Sequence, residues 1–259
     1  MSTKYPIILV HGIAVKEKKY FKAFGRIREK LRQRGYEVYI ADTDAFGSIE
    51  SNGLQLKEYV TKILDATGAE SVNIIAHSKG GLDSKYMISR LGMENKVASL
   101  TTLCTPHKGS LIASGIWSWH DAFKKPIAFF IDLFYKYILG DKNPDSMTVC
   151  RQLCYVDESV ETVGFTEKVY CQSYSATLKS GKDCFVMALP MRIYKHFTGR
   201  ENDGMVSNES AKFGNYKGSC LDESISHMQI IDILAKQKSR EGIYDFYESI
   251  CKELEDMSF

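Results

Sequence analysis

Several features that would settle a protein's class at a glance are missing from this 259-residue sequence. No apolar run approaches the roughly 20 residues that a bilayer-crossing helix needs. The longest mostly apolar stretch, Pro126 to Leu139, is interrupted by Asp132 and Lys136. Nor is there a leader of the secretory kind: Met1-Ser2-Thr3-Lys4-Tyr5-Pro6 leads straight into a strand-like segment, so a cytoplasmic location is expected. Charge is nearly balanced, 34 Lys and Arg against 32 Asp and Glu, which leaves no electrostatic footprint for nucleic acid. The five prolines are scattered, and no repeat, low-complexity tract or Gly/Ser linker divides the chain. Its seven cysteines are odd in number and without a CxxC pair, so they read as reduced and mostly buried thiols rather than a disulfide framework. Cys150 and Cys154 share a helix face, but without a histidine partner they make a poor metal site.

What is present is an ordinary globular composition, 44% hydrophobic and 25% charged. The length suits one domain spanning residues 1–259 with a core that needs no staple. The first hundred residues alternate between two periods. Pro6 to Val10 is a continuous apolar run of the kind buried on both faces, and Tyr36 to Ala41, Ser71 to Ala76 and Val97 to Cys104 also read as strands. Between them, Phe21 to Arg34, Leu54 to Ala66 and Gly80 to Leu91 carry apolar residues at helical spacing, the first two stopped by Gly35 and Gly68. Strand and helix in alternation imply right-handed parallel crossovers, hence an α/β fold with a mostly parallel, doubly wound sheet.

The rhythm breaks at Lys108. Residues 108–163 are aromatic and lack strand signals, which predicts a helical cap set above the sheet. Within it, Ile127, Phe130, Ile131, Phe134 and Ile138 form the expected apolar face, with Asp132 and Lys136 on the wet side. Strands are then expected at Lys168 to Tyr174 and at Cys184 to Leu189. Two closing helices are expected at Met228 to Lys238 and Ile243 to Leu254, separated by Gly242.

The chemistry concentrates at Asn73-Ile74-Ile75-Ala76-His77-Ser78-Lys79-Gly80-Gly81, where a buried strand ends in a serine flanked by small residues and a helix begins. That is the nucleophile-elbow pattern with alanine in the first glycine's place. Small residues two before and two after the serine are needed because the turn is too tight for larger ones. Acyl transfer also needs two N–H donors aimed at the developing oxyanion. Lys79 supplies one through its backbone, and Ile13, in the loop after Val10-His11-Gly12, is the natural second. Gly12 lets the main chain approach, and His11 is read as holding that loop. Of six histidines, His227 alone falls late in the chain, in a polar loop and after a loop acid, as the Ser, acid, His order of such enzymes requires. That acid is Asp203, with Glu201 a second candidate on the same loop. The roles are Ser78 as nucleophile, His227 as base then acid, and Asp203 as the group that orients the imidazole.

Taken together, Tyr5-Pro6-Ile7-Ile8-Leu9-Val10-His11-Gly12, Ala76-His77-Ser78-Lys79-Gly80-Gly81-Leu82-Asp83, Thr101-Thr102-Leu103-Cys104-Thr105-Pro106-His107-Lys108-Gly109-Ser110 and Glu201-Asn202-Asp203-Gly204-Met205-Val206 resemble the motifs of bacterial triacylglycerol lipases of the α/β-hydrolase fold. Ser226-His227 falls where the histidine loop of that family lies, and the stretch from Asp44 to Leu56 resembles the segment before its second helix. The resemblance implies cofactor-independent hydrolysis of an acyl-ester or lipid substrate, with transient contact at a lipid surface. It also implies a lid that covers an acyl pocket, for which Trp117, Trp119, Phe129, Phe130 and Phe134 are the candidates. Thioester or amide cleavage, or lipid binding without turnover, are the alternatives. Many family members tie the histidine loop down with calcium through an aspartate where this chain has Gln229. With Asp183 the only matching acid, no structural calcium is expected. Lys79, a cation at a helix N-terminus, is read as solvated.

Overall fold

The computed structural model describes residues 2–17, 22–154 and 165–259. Six parallel strands form one sheet in the order β2-β1-β3-β4-β5-β6. They are β1 (Ile7–Val10), β2 (Val38–Ile40), β3 (Val72–His77), β4 (Val97–Leu103), β5 (Tyr170–Ser175) and β6 (Asn215–Ser219). Helices α1 (Ile27–Gln33), α2 (Ile49–Thr67) and α3 (Lys79–Arg90) provide the crossovers, and α8 (Gln237–Asp256) closes the chain. Residues 18–21, the last of which opens the expected first helix, lie outside the described residues, and the helix itself begins at Ile27.

The continuous apolar strands are explained by the two cores they serve. Ile7 and Leu9 of β1 point to one face of the sheet, where they join Ile27 and Leu31 of α1 and Tyr244, Tyr247 and Leu254 of α8. Ile8 and Val10, one residue out of phase, point to the other face and meet Leu56 and Val60 of α2 and Met87 and Ile88 of α3. A strand with a core on both sides cannot alternate with polar residues. Helix α2 starts at Ser48, whose hydroxyl accepts from Ser51 N, and stops at Gly68 with φ 69°.

Three expected elements come out differently. Cys184 to Leu189 is not a strand; it opens α7 (Phe185–Thr198), in which Met187, Met191 and Tyr194 recur at helical spacing on the buried side. A six-residue apolar run reads either way, and the longer periodicity decides it. The chain from Met228 forms only a single tight turn, Gln229–Ile231, because Asp232 and Leu234 take positive φ. Helix α8 then runs straight through Gly242 rather than breaking there. A Cβ at Gly242 would meet nothing within 4 Å, and the packing of Ile243, Tyr244 and Tyr247 outweighs the roughly 1 kcal/mol that an exposed helical glycine costs. Strand β6 was not expected at all: Asn-Tyr-Lys-Gly-Ser is polar because it is the sheet's edge.

Between β4 and β5, α4 (Leu111–Trp117), α5 (Asp121–Phe134) and α6 (Ser146–Cys154) cover one end of the sheet. A wider turn, Tyr135–Leu139, ends α5, and residues 155–163 of the expected cap lie outside the described residues. No described helix is long and apolar enough to cross a membrane.

Candidate active site

Ser78 sits between the end of β3 and the first residue of α3 with φ 55° and ψ −132°, a strained setting for a residue with a side chain. Its N–H donates to the Leu103 carbonyl at 2.9 Å and its carbonyl accepts from Thr105 Oγ1 at 2.8 Å, so β4 and the turn after it hold the strain in place. The neighbouring small residues are required by close approach. A Cβ at Gly80 would lie 2.5 Å from the His11 carbonyl oxygen, and one at Gly12 would lie 2.6 Å from Ser78 Cβ. The loop after β1 therefore lies directly against the serine.

His227 reaches Ser78 from a separate loop. Its Nε2 is 2.9 Å from Ser78 Oγ, and its Nδ1 is 2.7 Å from Asp203 Oδ2. Only one tautomer serves both contacts: Nδ1–H donates to the carboxylate, and bare Nε2 accepts the serine hydroxyl. The other carboxylate oxygen of Asp203 accepts from Met205 N and Val206 N, each at 2.8 Å, so the acid is fixed before the histidine arrives. The His227 N–H donates to the Asp203 carbonyl at 2.9 Å, joining the two loops through main chain as well. Thus the structure brings Ser78, His227 and Asp203 into one hydrogen-bonded chain, all three buried. Glu201 on the same loop is exposed.

The other histidines are placed elsewhere. His11 Nδ1–H donates to the Gly12 carbonyl at 2.9 Å. His107 meets Thr102 Oγ1 and stacks on Phe213, His120 caps α5, and His196 is exposed on α7. His77 was not singled out by its position, yet its Nε2–H donates to the His227 carbonyl at 2.9 Å and its ring lies 4.5 Å from the His227 ring. Burial, and then the neighbouring His227, hold its pKa well below the ordinary value, so it stays neutral. Nothing in the sequence announces such a contact across 150 positions.

Lys79 corrects the expectation of a solvated cation. Its backbone opens α3, but its side chain turns inward, and its Nζ is 2.7 Å from Asp83 Oδ1 with both side chains 1% exposed. Asn52 Nδ2 donates to the other oxygen of Asp83 at 3.0 Å. Burial pushes the Asp83 carboxyl up to about 6 against the pull of Lys79.

Above Ser78 and His227 lies a cavity of about 390 Å³. Its walls include Ile13, Ile116, Trp117, Trp119, Ile127 and Ile131, almost wholly apolar. Of the expected lid aromatics, Trp117 and Trp119 line it. Phe129, Phe130 and Phe134 do not; they point outward at 61%, 67% and 51% exposure. On α5 the inward stripe is Lys124, Ile127, Ala128 and Ile131, and a helix that turns these inward must turn Phe130, Phe134 and Ile138 away. The helix shows the cavity its smaller side chains and leaves room beneath them.

Among the described residues, one grouping brings metal-binding atoms together: Cys104, Asp203 and His227, within 4.8 Å of one another. A cation there would have to displace the proton between His227 and Asp203, so the grouping belongs to the hydrogen-bonded chain. Gln229 braces the histidine loop itself: its Oε1 accepts from Ser226 N at 3.0 Å and its Nε2 donates to the Asp183 carbonyl at 3.0 Å. Cys150 and Cys154 hydrogen-bond backbone carbonyls.

Comparison with known proteins places this geometry in context. Residues 5–131 match the alpha/beta hydrolase fold family. The chain is 32% identical over 197 residues to a triacylglycerol lipase of Pseudarthrobacter phenanthrenivorans, covering 68% of this chain and 60% of that protein. It is 28% identical over 221 residues to triacylglycerol lipase 2 of Saccharomyces cerevisiae, covering 80% of this chain and 61% of that one. The chain thus spans little more than half the length of these relatives. Among solved structures, a mature Bacillus licheniformis lipase superposes with a TM-score of 0.67 at 23% identity, covering 88% of this chain and 87% of that one. A metagenomic carboxyl esterase superposes with a TM-score of 0.74 at 15% identity, covering 97% and 76%. These two likenesses speak to the fold.

Proposed function

The chain belongs to the alpha/beta hydrolase fold family and is related in sequence to triacylglycerol lipases, and from that premise we propose that it hydrolyses carboxylic esters with an apolar acyl chain through an acyl-enzyme on Ser78. The observation that carries the reading is the unbroken contact from Ser78 Oγ to His227 Nε2 at 2.9 Å and from His227 Nδ1 to Asp203 at 2.7 Å, on the floor of an apolar cavity.

Ser78 Oγ attacks the acyl carbon while His227 Nε2 takes the hydroxyl proton. Asp203 stays ionised, holds the tautomer and stabilises the imidazolium. The oxyanion is met by the backbone N–H groups of Lys79 and Ile13. Lys79 stands at the first turn of α3, where N–H groups have no acceptor within the helix, and Ile13 lines the same cavity as Ser78. The imidazolium then protonates the departing alcohol as the C–O bond breaks. A water, deprotonated by His227, attacks the acyl-enzyme and releases the carboxylic acid with Ser78 restored. The lining of Ile116, Trp117, Trp119, Ile127 and Ile131 suits a hydrocarbon chain. Neutral His77 beside His227 favours the imidazolium, since its ring adds no like charge.

A fluorophosphonate probe tests the assignment. Its fluoride is displaced by an activated serine, so intact protein gains one adduct at Ser78, Ser78→Ala gains none, and His227→Ala reacts far more slowly. Hydrolysis of p-nitrophenyl esters of increasing chain length then measures the acyl preference. Intact protein that stays unlabelled and hydrolyses no ester overturns the reading in favour of lipid binding without turnover.

A further inference from the structure

Helix α7 is apolar on both sides. Inward, Met187 and Met191 pack with Leu178 and Cys184 and with Met205 and Met228, which flank Asp203 and His227. Outward, Phe185, Val186, Leu189, Ile193 and Phe197 fall on one stripe, and Phe185 is 91% exposed. An exposed apolar stripe of this size on a soluble chain marks an interaction surface. Charge narrows the partner. Residues 179–200 carry Lys179, Lys182, Arg192, Lys195 and Arg200 against the single acid Asp183, whose carboxylate faces Lys236 at 3.4 Å. That segment is net positive by four while the whole chain nets +2, so the rest of the molecule is net negative. A second copy docking through a twofold contact would press this excess against itself. An amphipathic helix with large apolar residues on one stripe and cations beside them fits the boundary between anionic headgroups and acyl chains. Both α5 and α7 also line the cavity, through Ile127 and Ile131 on one side and Met187 on the other.

We propose that α7 docks the cavity's rim onto a bilayer surface carrying anionic phosphate headgroups. Phe185, Leu189 and Phe197 enter the acyl boundary, and Arg192, Lys195 and Arg200 meet the phosphates. The docking needs no turnover at Ser78, so it stands or falls apart from the ester-hydrolase reading.

The test uses the full chain as Ser78→Ala, which leaves vesicle lipid intact, in flotation with phosphatidylcholine vesicles and with vesicles of equal phosphatidylcholine and phosphatidylglycerol. Binding to the anionic vesicles exceeds binding to the neutral ones and weakens as salt is raised. Arg192→Gln, Lys195→Gln and Arg200→Gln together lower partition onto anionic vesicles about 100-fold, at about fivefold per charge, and leave the neutral-vesicle value unchanged. Phe185→Ser with Leu189→Ser lowers both. In the Ser78 protein the same substitutions leave hydrolysis of a water-soluble short-chain ester at its original rate, which shows that the fold and site are intact. Equal binding to both vesicle types, or indifference to the triple substitution, overturns the proposal. So does a dimer in light scattering that Phe185→Ser dissociates, since the stripe is then a protein interface. If vesicle docking persists while the short-chain ester is untouched, the hydrolase reading fails and the docking surface stands.

Discussion

Replacing Asp83 by Asn should damage this protein far more than removing Asp83 and Lys79 together. The pair is fully buried in the first turns of α3, behind the proposed nucleophile Ser78, with Nζ and Oδ1 2.7 Å apart. Asp83→Asn keeps the shape and the bond to Asn52 but leaves the Lys79 ammonium without its anion. Stranding one partner of a buried pair costs about 3–5 kcal/mol. For a chain of this size each kcal/mol moves the melting temperature by about 2–4 °C, so the midpoint drops by roughly 10 °C. Lys79→Met costs less at neutral pH, because the carboxyl it strands is already pushed up to about 6 and takes a proton. The double variant Lys79→Met/Asp83→Leu returns to near wild-type stability, since two apolar side chains escape the desolvation that the pair suffers. Asn52 keeps its bond to the Asp44 carbonyl at 2.8 Å in either case. The pH dependence runs opposite to that of a surface carboxylate. The folded protein holds the Asp83 proton to about 6, the unfolded chain only to the ordinary 3.8. The site's contribution is therefore full below 3.8 and is lost as pH rises through about 6, on the order of 3 kcal/mol in all. Urea melts of wild type and double variant between pH 4 and 8 read this as a stability difference that shifts against wild type with rising pH. A pH-flat difference, or Asp83→Asn melting within about 2 °C of wild type, refutes the reasoning.

Three further outcomes follow from the site. Gly12→Ala puts a methyl 2.6 Å from Ser78 Cβ, so kcat/KM on a soluble ester falls about 100-fold for a displacement on the order of 1 Å, with little change in the thermal midpoint. Asp203→Asn removes the acceptor that selects the His227 tautomer and lowers kcat about 10⁴-fold in a protein that remains folded by circular dichroism. His77→Phe keeps a ring against His227 but takes away the donor to its buried carbonyl; at about 1–3 kcal/mol for an unsatisfied group, kcat drops roughly tenfold or more while KM holds.

How far each part was legible in the sequence depends on the range of the physics behind it. Strands β1, β3 and β4 were legible because burial on both faces demands unbroken apolar runs, a local requirement. The turn at Ser78 was legible for the same reason: Gly80 is small because the His11 and Val10 carbonyls pass within contact of it. Asp203 and His227 were reachable from chain order, though nothing local to either states that they meet. The direction of Lys79 was not legible. A cation at a helix N-terminus reads as solvated, and nothing local states that Asp83, which also accepts from Asn52 of α2, draws the ammonium inward. On α5 the aromatic stripe is the attractive choice for a packed underside, but a helix roofing a cavity inverts the rule: residues facing empty space are limited by the room left for a guest, and the large ones are displaced outward. At β6 the signal was absent because an edge strand gains from being polar.

The polar ties between cap and body also decide which motion of the cap is cheap. Lys16, three residues beyond Ile13, sets its Nζ 2.7 Å from Asp141 Oδ1 and 3.4 Å from Asp44 Oδ1. Asp44 in turn accepts from Lys142 N and Asn143 N, each at 2.8 Å, and Asp141 accepts from Phe46 N at 3.0 Å. The far end of α5 is thus knotted through buried charges to the loop that carries Ile13. Lifting it would expose or strand three ions, at several kcal/mol apiece. At the other end, the corner between α4 and α5 leaves Trp119 half-exposed and Phe123 exposed, with Lys124 reaching back to the Trp117 carbonyl at 2.8 Å within the cap itself. If a substrate needs α5 to move, the least costly path pivots near Asp141 and swings the Trp117–Lys125 end outward. The cavity then opens from its aromatic side while the backbone around Ile13, the proposed oxyanion donor, stays in place beside Ser78.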